Sequence, residues 1–129
     1  MAGLKFLVVD DSLTMRRVVI NTLKALGYDT VIEASQGKEA FAKIQAEGCD
    51  FLITDWNMPE MNGLDLVKAL RANPQFEDLP ILMITTRGNK EDVIEAMKAR
   101  VNNYIVKPFT APGLKEKIEL VLKTVLSPQ

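Results

Sequence analysis

The sequence predicts an α/β fold, an open, doubly wound sheet of five parallel strands in a (βα)5 arrangement with the strand order 2-1-3-4-5. Five short apolar segments alternate with longer stretches that carry apolar residues at spacings of three and four, the pattern of amphipathic helices. Three of the short segments are almost continuously apolar, which is typical of interior strands covered on both faces. The chain has 129 residues, 47% of them hydrophobic, so residues 1–129 are expected to form one domain.

The three interior strands are predicted at residues 6–9, 51–53 and 81–84, where large apolar residues follow one another. The segments at 30–34 and 103–106 also contain polar residues, so these are predicted to be the edge strands. Parallel strands joined through helices require right-handed crossovers, which place helices on both faces of the sheet. With the second and fifth strands outermost, the order 2-1-3-4-5 follows.

The helix boundaries are predicted from capping and breaking residues. Ser12 and Thr110 precede the first and last helical stretches, where their hydroxyl oxygens can cap an N-terminus. Gly27, Gly48 and Pro74 follow the first three helices. The Lys and Arg residues of the third and fifth helices are expected on solvated faces.

The composition excludes several classes of function. Lys and Arg total 16 against 17 Asp and Glu, and a net charge of -1 gives no electrostatic reason to expect a nucleic acid or an anionic membrane as partner. Without histidine, Ser-His-Asp and Cys-His nucleophile pairs and histidine-bearing zinc sites are excluded. Cys49 is the only cysteine, and it is expected to be a small buried hydrophobe. The N-terminal residues do not resemble a secretory leader, so a cytoplasmic location is expected.

Polar side chains are predicted to gather where the strands end. In open parallel sheets, ligands bind beyond the carboxyl ends of the strands, near the switch point between the first and third. The residues that follow strands 1, 3, 4 and 5 bring carboxylates, hydroxyls and an ammonium to this edge: Asp10, Asp11, Thr54, Asp55, Thr85, Thr86 and Lys107. The sequence therefore places three carboxylates and one lysine at a single edge.

Three carboxylates crowded together need positive charge. Each pair repels by about 4 kcal/mol at roughly 4 Å for an effective dielectric near 20. Oxygen ligands without His or Cys favour a hard cation, and so few carboxylates with positions left for water and phosphate suit Mg²⁺. A carboxylate beside Mg²⁺ and Lys107, with hydroxyls nearby, is suited to phosphoryl transfer onto Asp55, and an aspartyl phosphate is the predicted product.

These motifs resemble the signature of response-regulator receiver domains. The segments that carry the resemblance are Asp10-Asp11, residues 55–63, Thr85-Thr86 and residues 104–109. Together they span nearly the whole chain, and within the family the chain is most similar to the single-domain receivers of chemotaxis.

The resemblance implies a role for each site residue. Asp55 is the expected phosphoacceptor. The direct Mg²⁺ ligands are expected to be Asp11, Asp55 and the backbone carbonyl of Asn57, whereas Asp10 is expected to act mainly through a water on the ion. Lys107 is expected to pair with Asp55 and then with the phosphoryl oxygens, and the bond between Lys107 and Pro108 is expected to be cis.

The resemblance also implies a switch and partners. Thr85 is expected to turn its hydroxyl toward the phosphoryl group, after which Tyr104 turns inward. The implied phosphoryl donor is a histidine kinase of the chemotaxis type, and the implied target is an N-terminal peptide of a flagellar motor switch protein that contacts Val93, Tyr104 and Lys117. The chain is expected to be a monomer that catalyses only its own phosphorylation and dephosphorylation.

Two residues depart from the pattern of chemotaxis receivers. Arg87 stands two residues after Thr85, where many of them carry an acidic residue. Arg100 ends the fourth helix, where relatives often have a glycine with a left-handed backbone.

The sequence disfavours two other classes of function and leaves three alternative roles open. A flavodoxin-like nucleotide binder shares the fold, but the two aspartates after the first strand would repel phosphate. A haloacid dehalogenase phosphatase has an acid two residues after its nucleophile, where this chain has Asn57. The sequence is also compatible with a phosphorelay intermediate, a regulator of another protein, or a docking module that takes no phosphate.

Overall fold

A computed structural model describes residues 3–126, and within them five strands form one parallel sheet. The strands are β1 (Lys5–Val9), β2 (Thr30–Ala34), β3 (Phe51–Thr54), β4 (Ile81–Thr85) and β5 (Asn103–Val106). The helices between and after them are α1 (Leu13–Ala25), α2 (Gly37–Glu47), α3 (Gly63–Arg71), α4 (Lys90–Lys98) and α5 (Ala111–Leu126). The strand order is β2-β1-β3-β4-β5, so the predicted fold and its edge strands are confirmed.

Two hydrophobic cores cover the two faces of the sheet, because successive side chains of a strand point to opposite faces. Leu7, Leu52 and Met83 lie in the core formed with α2, α3 and the α4 residue Ala96. On the other face, side chains such as Phe6 and Phe51 pack with α1 and α5. Both faces of β1, β3 and β4 are therefore buried, which explains their almost continuously apolar sequences.

The predicted capping residues are in place. The Ser12 side chain accepts a hydrogen bond from the Met15 N–H at the start of α1, and the Thr110 hydroxyl accepts one from the Gly113 N–H at the start of α5. Gly48 ends α2 with a φ of 76°, in the region that favours glycine. Arg100, after α4, has a φ of 74°, so the left-handed turn forms here without glycine.

The structure contradicts one sequence expectation, that the basic residues of α3 and α5 all lie on solvated faces. Arg71 is only 9% exposed. Its Nε and Nη2 donate to the Arg100 carbonyl at 3.1 and 2.8 Å, and Nη1 donates to the carbonyls of Phe76 and Glu77. A further Nη2 bond reaches Asn102 Oδ1 at 3.1 Å. These acceptors come from separate turns that meet only in the folded chain, so the helical pattern of α3 gives no sign of them.

No helix within residues 3–126 combines the length and apolar composition that crossing a membrane requires.

Candidate functional site

The acidic residues meet because of the register between β1 and β3. Val9 lies beside Thr54, so Asp10 and Asp55 leave neighbouring strands at the same level. The Asp55 N–H donates to the Val9 carbonyl at 3.0 Å, which extends the pairing by one residue. Asp11 lies next to Asp10, and one carboxylate oxygen from each of Asp10, Asp11 and Asp55 lies within 4.8 Å of the others.

Lys107 joins this cluster from the end of β5. Its backbone N–H donates to the Thr85 carbonyl at 2.8 Å, which fixes the residue beside the end of β4. Its Nζ lies 3.0 Å from Asp10 Oδ2 and 3.0 Å from Asp55 Oδ2. The bond to Pro108 is cis, as the family resemblance implied.

Burial and ion pairing act in opposite directions on the charged groups. Burial raises the pKa of the Asp55 carboxyl, although hydrogen bonding and attraction from Lys107 work against the rise. For Lys107, burial lowers the pKa, but hydrogen bonds to Asp55 and Asp10 outweigh it and the net pKa is raised. Lys107 therefore stays a cation at neutral pH, and burial makes the ionised form of Asp55 costly without a further positive partner.

Hydrogen bonds orient the two buried carboxylates. Asp10 Oδ1 accepts from the Ser12 N–H at 2.9 Å, and Asp55 Oδ1 accepts from the Trp56 N–H at 2.6 Å. The Asp10 carbonyl accepts from Arg16, which also pairs with Glu33 at 2.8 Å. Each carboxylate thus has one oxygen held by the backbone and the other by Lys107.

The donor set fits a hard divalent cation. Asp10 and Asp55 are 4% and 8% exposed, whereas Asp11 is exposed, and within residues 3–126 its carboxylate makes no side-chain hydrogen bond. Oxygen donors on one open side, with positions left for water, are what Mg²⁺ accepts. Asp11, Asp55 and the backbone carbonyl of Asn57 remain the predicted direct ligands. Asp10 is predicted to act mainly through a water on the ion.

The side chain of Asn57 is engaged elsewhere. Its Oδ1 accepts from Nε and Nη2 of Arg87 at 3.0 and 2.9 Å. The Arg87 guanidinium lies 4.6 Å from the centre of the Trp56 ring, a cation–π contact, and Nη1 lies 3.4 Å from Asp92 Oδ2. The sequence marks Arg87 as a departure from the family pattern, but these contacts depend on how the loops after β3 and β4 meet.

Thr85 and Tyr104 lie on the adjacent strands β4 and β5. Thr85 is fully buried, and its Oγ1 accepts from the Arg87 N–H at 3.2 Å. Tyr104 is 8% exposed, and its hydroxyl donates to the Arg87 carbonyl. Burial raises the pKa of Tyr104 to about 12, so the phenol stays a donor at neutral pH. The ring therefore already has the inward position that the family resemblance implies for the switched state.

The predicted output residues flank Tyr104. Val93 on α4 and Lys117 on α5 are both half-buried, and both helices pack against β5. Val93 packs against the same core as Tyr104. The structure thus brings the three residues to one region, while their role as a binding surface stays a prediction.

Gly63 is a site residue to which sequence reasoning gives no role of its own. Its N–H donates to the Trp56 carbonyl at 2.7 Å. A Cβ atom at this position would lie 1.9 Å from the Asp55 carbonyl oxygen, so only glycine lets α3 begin this close to the end of β3. Gly63 ends the receiver motif at residues 55–63, but the contact that requires glycine there is tertiary.

Comparison with known proteins decides the family. Residues 6–119 match the response regulator receiver domain family. The chain belongs to this family. Chemotaxis protein CheY1 of Helicobacter pylori strain J99 is 62% identical over 122 residues, covering 94% of this chain and 98% of the relative. A chemotaxis protein CheY homolog of Campylobacter jejuni strain 81-176 is 61% identical and covers 94% of each chain.

Solved structures agree with this assignment. The receiver chain superposes on Vibrio cholerae chemotaxis protein CheY4 with a TM-score of 0.87 at 40% identity, covering 94% of this chain and 100% of the other. A response regulator of Chloroflexus aurantiacus gives a TM-score of 0.87 at 34% identity, covering 92% and 97%. The predicted resemblance to chemotaxis receivers is confirmed.

Proposed function

We propose that this receiver accepts a phosphoryl group on Asp55 from a histidine kinase and then binds a flagellar motor switch protein in a chemotaxis pathway. The observation that carries the proposal is the position of Lys107 Nζ, 3.0 Å from both Asp10 and Asp55, inside a cluster of three carboxylates. Relatives at 61–62% identity that carry the CheY name support the choice of pathway.

In the proposed reaction, a carboxylate oxygen of Asp55 attacks the phosphorus of a phosphohistidine. An O–P bond forms and the P–N bond breaks, and the leaving imidazole keeps the electron pair and takes a proton from water. Mg²⁺, when bound by Asp11, Asp55 and Asn57, would neutralise charge on the phosphoryl oxygens. The chain acts on no separate substrate and catalyses only its own phosphorylation and dephosphorylation.

The protein groups position and neutralise the reacting atoms. The Trp56 N–H holds Asp55 Oδ1, which fixes the carboxylate for in-line attack. Lys107 pairs with Asp55 before the transfer and is within reach of the new phosphoryl oxygens after it. The Thr85 hydroxyl, now bonded to the Arg87 N–H, is the donor proposed to turn toward the product.

The proposal is tested by incubating the protein with acetyl phosphate and Mg²⁺ and measuring the intact mass. The wild-type protein is expected to gain one phosphoryl group, and Asp55→Asn none, because an amide oxygen is not a competent nucleophile. Asp50→Asn, which changes an aspartate before β3, is the matched control and is expected to be phosphorylated. A wild-type protein that takes no phosphoryl group would favour the phosphate-independent docking module.

The partner is tested separately, with an N-terminal peptide of the motor switch protein from the same genome. We expect tighter binding to the phosphorylated receiver, measured by fluorescence anisotropy of the labelled peptide. Equal affinity for both forms would favour a phosphorelay intermediate or a regulator of another protein.

A further inference from the structure

Arg87 connects the loop after β3, which carries Trp56 and Asn57, to Tyr104 on β5. Its guanidinium bonds Asn57 through two N–H groups, at 3.0 and 2.9 Å, and lies over the Trp56 ring. Its backbone carbonyl accepts the hydroxyl of Tyr104. The side chain thus ends on the phosphoacceptor loop, and the main chain of the same residue holds the aromatic ring of β5.

The guanidinium is anchored on several sides. The forked pair of bonds to one amide oxygen fixes its plane, and the face of Trp56 supports that plane. The Asp92 carboxylate, 3.4 Å from Nη1, adds a charge partner from the first turn of α4. Trp56 is 4% exposed, so the stacked contact rests on a ring held by the core.

This anchoring determines where the Arg87 carbonyl lies. Gly88 follows directly, and because glycine can adopt many backbone conformations, it does not by itself fix the loop before α4. The Arg87 N–H is held by Thr85 Oγ1 at 3.2 Å. With the side chain fixed at one end and the N–H at the other, the carbonyl acceptor for Tyr104 has a defined position.

We propose that Arg87 is the positioning residue that holds Tyr104 in its buried position before any phosphoryl group is transferred. In the unphosphorylated receiver, the output residue Tyr104 therefore already points inward. A movement of the phosphoacceptor loop would change the position of Tyr104 through Arg87. The inference rests on the proposed function only in treating the Tyr104 region as the output surface.

The two tyrosines of the chain make a direct test possible. Biosynthetic 3-fluorotyrosine gives two ¹⁹F resonances, from Tyr28 and Tyr104. Tyr28 packs against Phe6 on the opposite face of the sheet, with ring centres 4.8 Å apart, so it serves as an internal reference. The measurement needs neither Mg²⁺ nor a phosphoryl donor.

Removing the guanidinium is expected to release the ring. In Arg87→Ala, the Tyr104 resonance should move toward the solvent-exposed position and become more sensitive to a soluble paramagnetic agent, by on the order of 5-fold. Arg87→Lys keeps the positive charge but lacks the planar guanidinium that donates two hydrogen bonds to Asn57 and stacks on Trp56. It should therefore shift the Tyr104 resonance by an intermediate amount. Asn57→Ala should shift Tyr104 in the same direction, and the effects of Asn57→Ala and Arg87→Ala should not add, since they remove one connection.

The control is Arg17→Ala, which removes an exposed arginine of α1. It should leave both resonances unchanged. An unshifted Tyr28 resonance shows that each variant is folded. A Tyr104 resonance of Arg87→Ala that matches the wild type overturns the inference, even if Asp55 is phosphorylated normally. Conversely, a wild-type protein that takes no phosphoryl group overturns the proposed function and leaves this result standing.

Discussion

At Asp55, burial makes the ionised carboxylate unfavourable, and the pair with Lys107 offsets only part of this cost. The carboxyl is 8% exposed and burial raises its pKa, so the folded protein binds a proton there more readily than the unfolded chain does. For a raised acid pKa, the favourable contribution is present below the unfolded pKa and is lost as pH rises through the folded pKa. At neutral pH without Mg²⁺, the Asp55 charge therefore lowers stability.

Because the pKa of Asp55 is raised in the folded protein, removing its charge is predicted to stabilise the protein. Asp55→Asn should raise the free energy of unfolding at pH 7 without Mg²⁺, and the gain over wild type should shrink as pH falls toward the ordinary range of carboxyl pKa values. Urea unfolding at several pH values measures it. Asp29→Asn, at an exposed position before β2, should show no comparable gain. A variant less stable than wild type at pH 7 would mean that the pair with Lys107 outweighs burial.

At the scale of elements, β4 and β5 carry the proposed switch. Thr85 lies beside Val106 in the register of these strands, and Tyr104 lies beside Met83, so the two switch residues belong to one local pairing. A Thr85 hydroxyl that turns toward a phosphoryl group would give up its bond to the Arg87 N–H. The loop before α4 would then be free to adjust.

Thr85→Ala should therefore still accept a phosphoryl group but lose most of the gain in partner affinity. Two-state coupling of this kind is typically worth roughly 5- to 150-fold, and the ratio should fall close to one. Anisotropy with the motor switch peptide, with and without phosphorylation, measures the ratio. Thr86→Ala, at the exposed neighbouring position, should keep the wild-type ratio. Full phosphorylation dependence in Thr85→Ala would rule out this route.

The sequence predicted the elements and the acidic cluster for the same reason. Continuous apolar runs identify β1, β3 and β4, and parallel strands that end at one level bring Asp10, Asp55 and Lys107 together without any further information. Arg71 and Arg87 could not be placed in this way. The carbonyl of Arg100 for Arg71, and the Asn57 amide and the Trp56 ring for Arg87, lie in loops distant in sequence, and only tertiary packing brings those groups into reach.

The contacts of Arg71 that the sequence did not predict should contribute measurably to the free energy of unfolding. The Arg71 guanidinium bonds the turn after α3 and the turn after α4, so Arg71→Ala leaves the carbonyls of Glu77 and Arg100 without the donor they have in the wild type. We expect a loss of about 2–4 kcal/mol in the free energy of unfolding. Lys68→Ala, one turn earlier on the exposed side of α3, should change it by less than about 0.5 kcal/mol. Urea denaturation compares them, and similar losses would show that the Arg71 bonds contribute little.

On the scale of the whole molecule, the site is an exception in an otherwise well-paired interior. Within residues 3–126, every buried side-chain nitrogen or oxygen has a hydrogen-bond partner. In the acidic cluster, Lys107 pairs with Asp10 and Asp55 but not with the exposed Asp11, so the charge of the three carboxylates is only partly neutralised. A ligand that supplies positive charge to this one place should stabilise the entire fold, because it binds the native state and not the unfolded chain.

Mg²⁺ is therefore expected to raise the melting temperature, by an amount that grows with the logarithm of its concentration above Kd. At ten times its Kd the gain is about 1.4 kcal/mol, or roughly 4–6 °C for a domain of this size. Asp11→Ala should lose most of this rise, because within the described cluster of Asp10, Asp11 and Asp55 the exposed Asp11 carboxylate is the one that accepts no hydrogen bond from a protein group. Glu60→Ala should keep it, since Glu60 lies 4.0 Å from Lys38 at the entrance to α2 and is not part of the cluster. Differential scanning fluorimetry over a Mg²⁺ series compares the three proteins, with NaCl holding the ionic strength constant. Equal rises in all three would place the cation elsewhere on the surface and remove Asp11 from the ligand set.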